Sequence, residues 1–288
     1  MSTTEIKSVV VDSGVSVFYR IAGPENAPVV LLLHGFPTSS HQYRNLIPIL
    51  AQHYRVVAPD FPGFGFTQVP AERSYQYTFD ALSKTTIAFL DALSITSFAV
   101  YIFDYGAPVA LRLALERPSA IKAIVSQNGN AYEEGLGEGW APIRAYWASG
   151  SQVDRKTVQD GILTLETTKW QYTHGSRFPD AIPPETYTLD WALMQRPGNF
   201  DIQLDLFFDY QNNVKLYPQF QEYFRQSRVP LLAVWGKHDP FFIPAGAEAY
   251  KRDLPHAEIM LLDAGHFAGE TETTEIGELI LKFLSEVL

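Results

Sequence analysis

No cysteine occurs among the 288 residues, which excludes disulfides, thiolate metal sites and a cysteine nucleophile and leaves the fold to stand on packing alone. Positive charge is also scarce. The chain sets 22 Lys and Arg against 32 Asp and Glu, a formal net charge of -10, which argues against nucleic acid or an anionic membrane surface as the main partner. No uninterrupted apolar run approaches the ~18 residues of a membrane span. Met1 to Lys7 lacks a basic segment followed by an apolar one, so a soluble, cytoplasmic protein is the expectation. The pair Gly63 and Gly65 lacks the third glycine of a dinucleotide fingerprint, and the chain has no Gly-Lys-Ser/Thr of a phosphate-binding loop. No cofactor and no metal are expected. What is present is apolar: 46% of residues are hydrophobic and 14% aromatic, enough for a sizeable core.

Short aliphatic runs alternate with helical spacing through the first third. Val29 to Leu33 ends on His34-Gly35 and reads as a strand buried on both faces, as do Arg55 to Pro59, Phe98 to Phe103 and Ile121 to Ser126. Tyr43, Leu46, Ile47 and Leu50 predict a helix between the first two runs. A Pro- and Gly-rich loop over 60–70, helices near 80–93 and 106–116, and right-handed crossovers between parallel strands complete this part. Gly129, Gly135, Gly137 and Gly139, interspersed with Glu133, Glu134 and Glu138, predict an exposed hinge. Beyond it the chain is rich in Trp, Tyr and Phe at helical intervals, and strand texture returns only at Val229 to Gly236 and Ile259 to Leu262. An amphipathic helix over 275–288 closes the chain. The spacing therefore predicts an α/β core over 1–130 and 228–288 and a helical cap over 131–227.

Ligands of open parallel sheets bind beyond the carboxyl ends of the strands. Those positions here hold His34, Asp104, Asp239 and His266. Asp104, with Gly106 two residues on, stands where a sharp strand-to-helix turn exposes a nucleophile, although Ile102 is larger than that turn usually carries. Asp104 alone could equally cap the following helix, Asp239 before Pro240 could be a turn residue, and His266 could be structural. Together they fall in the order nucleophile, acid, base.

His34-Gly35-Phe36-Pro37, Ala58-Pro59-Asp60 through Gly63-Phe64-Gly65-Phe66-Thr67, Asp104-Tyr105-Gly106, Trp235 to Asp239 and Gly265-His266-Phe267 resemble an α/β-hydrolase, closest to the epoxide hydrolase and haloalkane dehalogenase branch. The resemblance implies a mostly parallel central sheet flanked by helices, with an inserted helical cap. It also implies an Asp104–Asp239–His266 triad and an oxyanion hole of the Phe36 and Tyr105 backbone N–H groups. The substrate would be a small apolar electrophile, in a pocket including His34, Phe36, Tyr105 and Trp147.

An aspartate nucleophile narrows the reaction. A carboxylate attacking a carbonyl makes an anhydride, whereas one attacking a saturated carbon makes an alkyl ester that a His-activated water can cleave. An epoxide leaves as an alkoxide and needs a proton, for which phenols serve; a halide needs only N–H donors. In epoxide hydrolases two cap tyrosines donate. Phe208-Asp209-Tyr210-Gln211-Asn212 resembles the stretch holding the second, and Arg144-Ala145-Tyr146-Trp147 fits the first by position. The residues that bind halide in dehalogenases are not matched at Phe36 and Tyr105, although Trp140, Trp147, Trp170 and Trp191 could each offer an indole N–H. These features predict an epoxide hydrolase giving vicinal diols, with a hydrolytic dehalogenase as the alternative. A non-catalytic ligand binder of the same fold is the third reading.

Overall fold

A computed structural model describes residues 3–11 and 14–288. Eight strands form one sheet: β1 (Glu5–Val11), β2 (Val15–Ala22), β3 (Val29–Leu33), β4 (Arg55–Pro59), β5 (Phe98–Phe103), β6 (Ile121–Gln127), β7 (Leu231–Gly236) and β8 (Glu258–Leu262). Their spatial order is 1-2-4-3-5-6-7-8. β2 runs antiparallel to both of its neighbours, β1 and β4, and the remaining pairs are parallel. The aliphatic runs are central because alternate side chains feed two cores. In β5, Val100 and Ile102 enter one layer and Tyr101 and Phe103 the other, which requires helices on both faces.

Helices α2 (Phe79–Ala92) and α3 (Gly106–Glu116) cover the first layer. The second is covered by a single turn, α1 (Ile47–Leu50), and by the closing helix over Thr273–Val287, whose Ile276, Ile280, Phe283 and Leu284 recur at helical spacing. The helix expected from Tyr43 onward is shorter than its periodicity suggests. Ser40–Tyr43 forms a 3-10 turn, and Pro48, which has no N–H and fits only the first turn of a helix, keeps α1 from starting earlier. The hairpin β1–β2 has no counterpart in the sequence reading, because β1 is an edge strand with most of its residues exposed.

Between β6 and β7 the chain is helical: α4 (Ala141–Ser149), α5 (Gln152–Ile162), α6 (Leu165–Thr173), α7 (Pro184–Met194), α8 (Asn199–Asp209) and α9 (Gln211–Ser227). The glycine-rich segment before α4 is not an exposed hinge. Gly137 N–H donates to Phe241 O (2.8 Å) and Gly139 N–H to Pro240 O (3.1 Å). A Cβ at Gly137 would lie 2.4 Å from Pro240 O, so only glycine permits this approach. The segment is thereby laced to the loop after β7, which leads Trp140 to the carboxyl ends of the strands.

Candidate active site

Asp104 follows β5 with φ +46°, a left-handed conformation that a non-glycine residue adopts only where the surroundings enforce it. The turn presents its carboxylate to the loop after β3. Asp104 Oδ1 accepts the Phe36 N–H at 2.6 Å, and the Tyr105 N–H also bonds the carboxylate. Gly35 makes this possible, since a Cβ there would stand 2.3 Å from Asp104 Oδ1.

Asp239 and His266 come from the loops after β7 and β8. His266 Nδ1 lies 2.7 Å from Asp239 Oδ2, while Asp239 Oδ1 accepts the Phe241 N–H at 2.7 Å. The imidazole is enclosed by Phe103, Phe241, Phe242 and Phe267, with ring centroids 4.7–6.0 Å away. Two residues missed in the sequence hold this pair from the end of β6. Asn128 Nδ2 donates to Asp239 Oδ2 (2.8 Å), and Gln127 Nε2 donates to both Asn128 Oδ1 and His266 O (2.8 Å each). Their signal was a polar Gln-Asn pair ending an apolar strand run.

Phe36, Asp104, Tyr105, Trp140, Ile143, Ile162, Gln171, Phe207, Phe241 and His266 line a narrow, mostly apolar cavity. Of the pocket residues expected from sequence, Phe36 and Tyr105 are in this wall and His34 and Trp147 are not. His34 Nε2 accepts the Phe61 N–H (3.0 Å) and its Nδ1 donates to Gly35 O (3.0 Å), tying two loops together. Burial pushes its pKa down to about 4, so the ring is neutral. Trp147 Nε1 donates to Phe207 O (2.7 Å).

The Tyr146 hydroxyl accepts from Arg155 (3.0 Å), and its ring lies 4.8 Å from Phe208 rather than on the cavity. Tyr210 is fully buried between α8 and α9, one ring behind the wall. It stands 4.4 Å from Trp140 and 5.9 Å from Tyr105, with Oη 3.4 Å from Tyr217 Oη.

Burial pushes the Asp104 carboxyl up to about 6, against the lowering influence of His266 and the two N–H donors. For His266, burial disfavours the cation, but Asp239 and Asp104 outweigh it and the pKa is raised above 6.5. The two groups therefore set different limbs of a pH profile. Attack by ionised Asp104 is expected to fall tenfold per pH unit below about 6. In the free enzyme the His266 imidazolium is expected to lose its proton above 6.5, with the midpoint lower in the ester, whose formation removes the Asp104 charge. Rapid-quench measurement of ester formation and ester breakdown across pH 5–9 checks both; coincident midpoints would contradict this division.

Residues 28–273 match the profile of the family described as alpha/beta hydrolase fold. An uncharacterized hydrolase of Saccharomyces cerevisiae is 51% identical over 280 residues, covering 96% of each chain. A haloalkane dehalogenase of Psychrobacter cryohalolentis is 27% identical over 288 residues, covering 96% of this chain and 89% of that one. Among solved structures, the epoxide hydrolase CorEH superposes with a TM-score of 0.78 at 18% identity, over 99% of this chain and 100% of that one. That last likeness is one of fold.

Proposed function

The chain belongs to the α/β-hydrolase family, and from that premise we propose that it hydrolyses small epoxides to vicinal diols through an ester on Asp104. The observation that carries the reading is the occupant of the elbow, a carboxylate with one oxygen bonded to the Phe36 N–H and with a His–Asp pair lining or backing the same cavity. In the first step the free oxygen of Asp104 attacks an epoxide carbon, the C–O bond breaks, and the departing oxygen takes a proton. We assign that proton to Tyr210, which lies one ring behind the wall and would reach the departing oxygen on a shift of the Trp140 or Tyr105 ring that brings its hydroxyl onto the cavity. Its 3.4 Å contact with Tyr217 is long for an O–H···O bond, so a developing alkoxide would be a better acceptor, and Tyr217 offers a route for reprotonation. Helices α4–α8 would act as the cap that closes over this chemistry.

In the second step neutral His266 takes a proton from water as the water attacks the Asp104 ester carbonyl. Charge develops on the oxygen held by the Phe36 and Tyr105 N–H groups, each such donor being worth ~2.7–4 kcal/mol of barrier. On collapse the departing diol oxygen takes the His266 proton and Asp104 is left as the carboxylic acid; loss of that proton, the second from the water, regenerates the carboxylate and balances the one Tyr210 gave up. Asp239 holds the imidazole and stabilises its cation.

Tyr210→Phe keeps the ring and removes the proton. Ester formation from an epoxide is expected to slow by roughly 10²-fold or more, with ester breakdown nearly unchanged. Tyr146→Phe, by contrast, is expected to leave ester formation at the wild-type rate, because its hydroxyl is engaged by Arg155. Wild-type ester formation in Tyr210→Phe would remove the donor assignment. A hydrolytic dehalogenase using the same ester is the second reading, favoured by the similarity to a haloalkane dehalogenase; halide release without diol formation would establish it.

A further inference from the structure

Two polar groups that the helical insertion brings to the cavity wall are unused by this mechanism. Trp140, 2% exposed at the start of α4, and Gln171, 3% exposed on α6, both line the cavity with Asp104 and His266. Trp140 Nε1 and Gln171 Nε2 are buried and have no hydrogen-bond partner among the described residues. A buried donor left unpaired costs ~1–3 kcal/mol, and each such group in a folded protein calls for an explanation. Here they occur in one small wall with Phe36, Ile143, Ile162, Phe207 and Phe241, beside Asp104, His266 and Tyr105, whose buried hydroxyl is a third group without a partner among the described residues. Their placement is deliberate in the backbone: Trp140 is brought there by the Gly137 and Gly139 bonds to residues 240–241. The neighbours of Gln171 on α6 pack on the loops of the triad, Trp170 against Phe241 (6.0 Å) and Tyr172 against Phe267 (3.8 Å).

We propose that Trp140 and Gln171 form a recognition site for a second oxygen atom of the substrate, which makes the preferred substrates small epoxides bearing an ether, hydroxyl or carbonyl group near the ring. Indole and amide N–H groups hold their protons at ordinary pH, so they bind an acceptor without supplying the proton that ring opening needs. Asp104 and His266 belong to the core and the two donors to the helical insertion, so a molecule whose reacting carbon sits on Asp104 meets them with its other end. A site built to hydrogen-bond a substrate group discriminates strongly against an analogue lacking it, because its buried donors are then left unpaired. An apolar wall of the same shape would accept both. This inference rests on the epoxide reading of the site.

The test compares methyl glycidyl ether with the terminal epoxide of pentane, which replaces the ether oxygen by a methylene. The ratio of kcat/KM for the two is measured in wild type, Gln171→Leu, Gln171→Met and Trp140→Phe, each checked for an unchanged circular dichroism spectrum. The ratio corrects for the intrinsic reactivity of the ether, since only its change between proteins is read. We expect it to fall at least tenfold in the variants. Equal losses on both epoxides, which leave the ratio unchanged, would overturn the proposal and move the two donors to the departing oxygen; no loss on either would overturn it outright. Intact-mass detection of an Asp104 ester with either epoxide separates these outcomes from failure of the underlying reading, since absence of any epoxide adduct removes both.

Discussion

Asp104→Ala is expected to abolish turnover, by a factor on the order of 10⁶ as for removal of a nucleophile elsewhere, while the chain remains folded. The carboxylate is the only group at the elbow that could form the ester, and, the Phe36 N–H aside, its neighbours are held by bonds that do not involve Asp104. A pure variant that retains more than a trace of the wild-type rate would remove the nucleophile assignment. The isosteric Asp104→Asn separates chemistry from stability. Asn keeps an oxygen to accept the Phe36 N–H, tolerates φ +46° better than most residues, and carries no charge into a buried site. The raised folded pKa, about 6 against 3.8, means that ionisation is harder in the folded state than in the unfolded one. The penalty is absent below pH ~4, grows between the two values and is complete above about 6, where it amounts to about 3 kcal/mol. Asp104→Asn is therefore expected to raise the Tm by several degrees at pH 7 and by little at pH 4. Thermal denaturation at the two pH values checks the sign; equal shifts at both would contradict the burial argument.

His266→Gln is expected to stop the reaction halfway. Attack by Asp104 requires no base, but breakdown of the ester does, so the second step should slow by roughly 10²–10⁴-fold and the ester should accumulate. Intact-protein mass spectrometry then reads the reaction type directly. An epoxide adds its whole mass, because the departing oxygen stays attached, whereas a haloalkane adds only its alkyl group in place of a proton. The acid limb of ester formation should also move above the wild-type midpoint near 6, since the imidazole lowers the Asp104 pKa and its removal leaves only the two N–H donors opposing burial. No adduct under conditions in which wild type turns over would count against the two-step scheme.

The residues proposed for the triad could be picked out in the sequence because a buried strand and the turn that stops it are local features. The runs Val29–Leu33 and Phe98–Phe103 place Gly35 and Asp104 at strand ends whatever lies around them. The donors Phe36 and Tyr105 follow by adjacency. The short helix at α1 was misjudged because periodicity registers Ile47 and Leu50 but not the missing N–H of Pro48.

The helical insertion yields less to the same reading. A helix turns about 100° per residue, so Trp140 and Ile143 can face the cavity while Tyr146, six residues beyond Trp140, lies about 240° round and meets Arg155. The Asn128 bond to Asp239 joins residues 111 positions apart, and the Trp140 and Gln171 donors converge only because separate helices are packed over one mouth. The sequence by itself thus determined the α/β architecture and the positions of the candidate nucleophile, acid and base, each marked by the turn that ends a strand. The tertiary structure alone decided which aromatic and amide groups face the cavity, because helix phase and packing between distant segments direct those side chains.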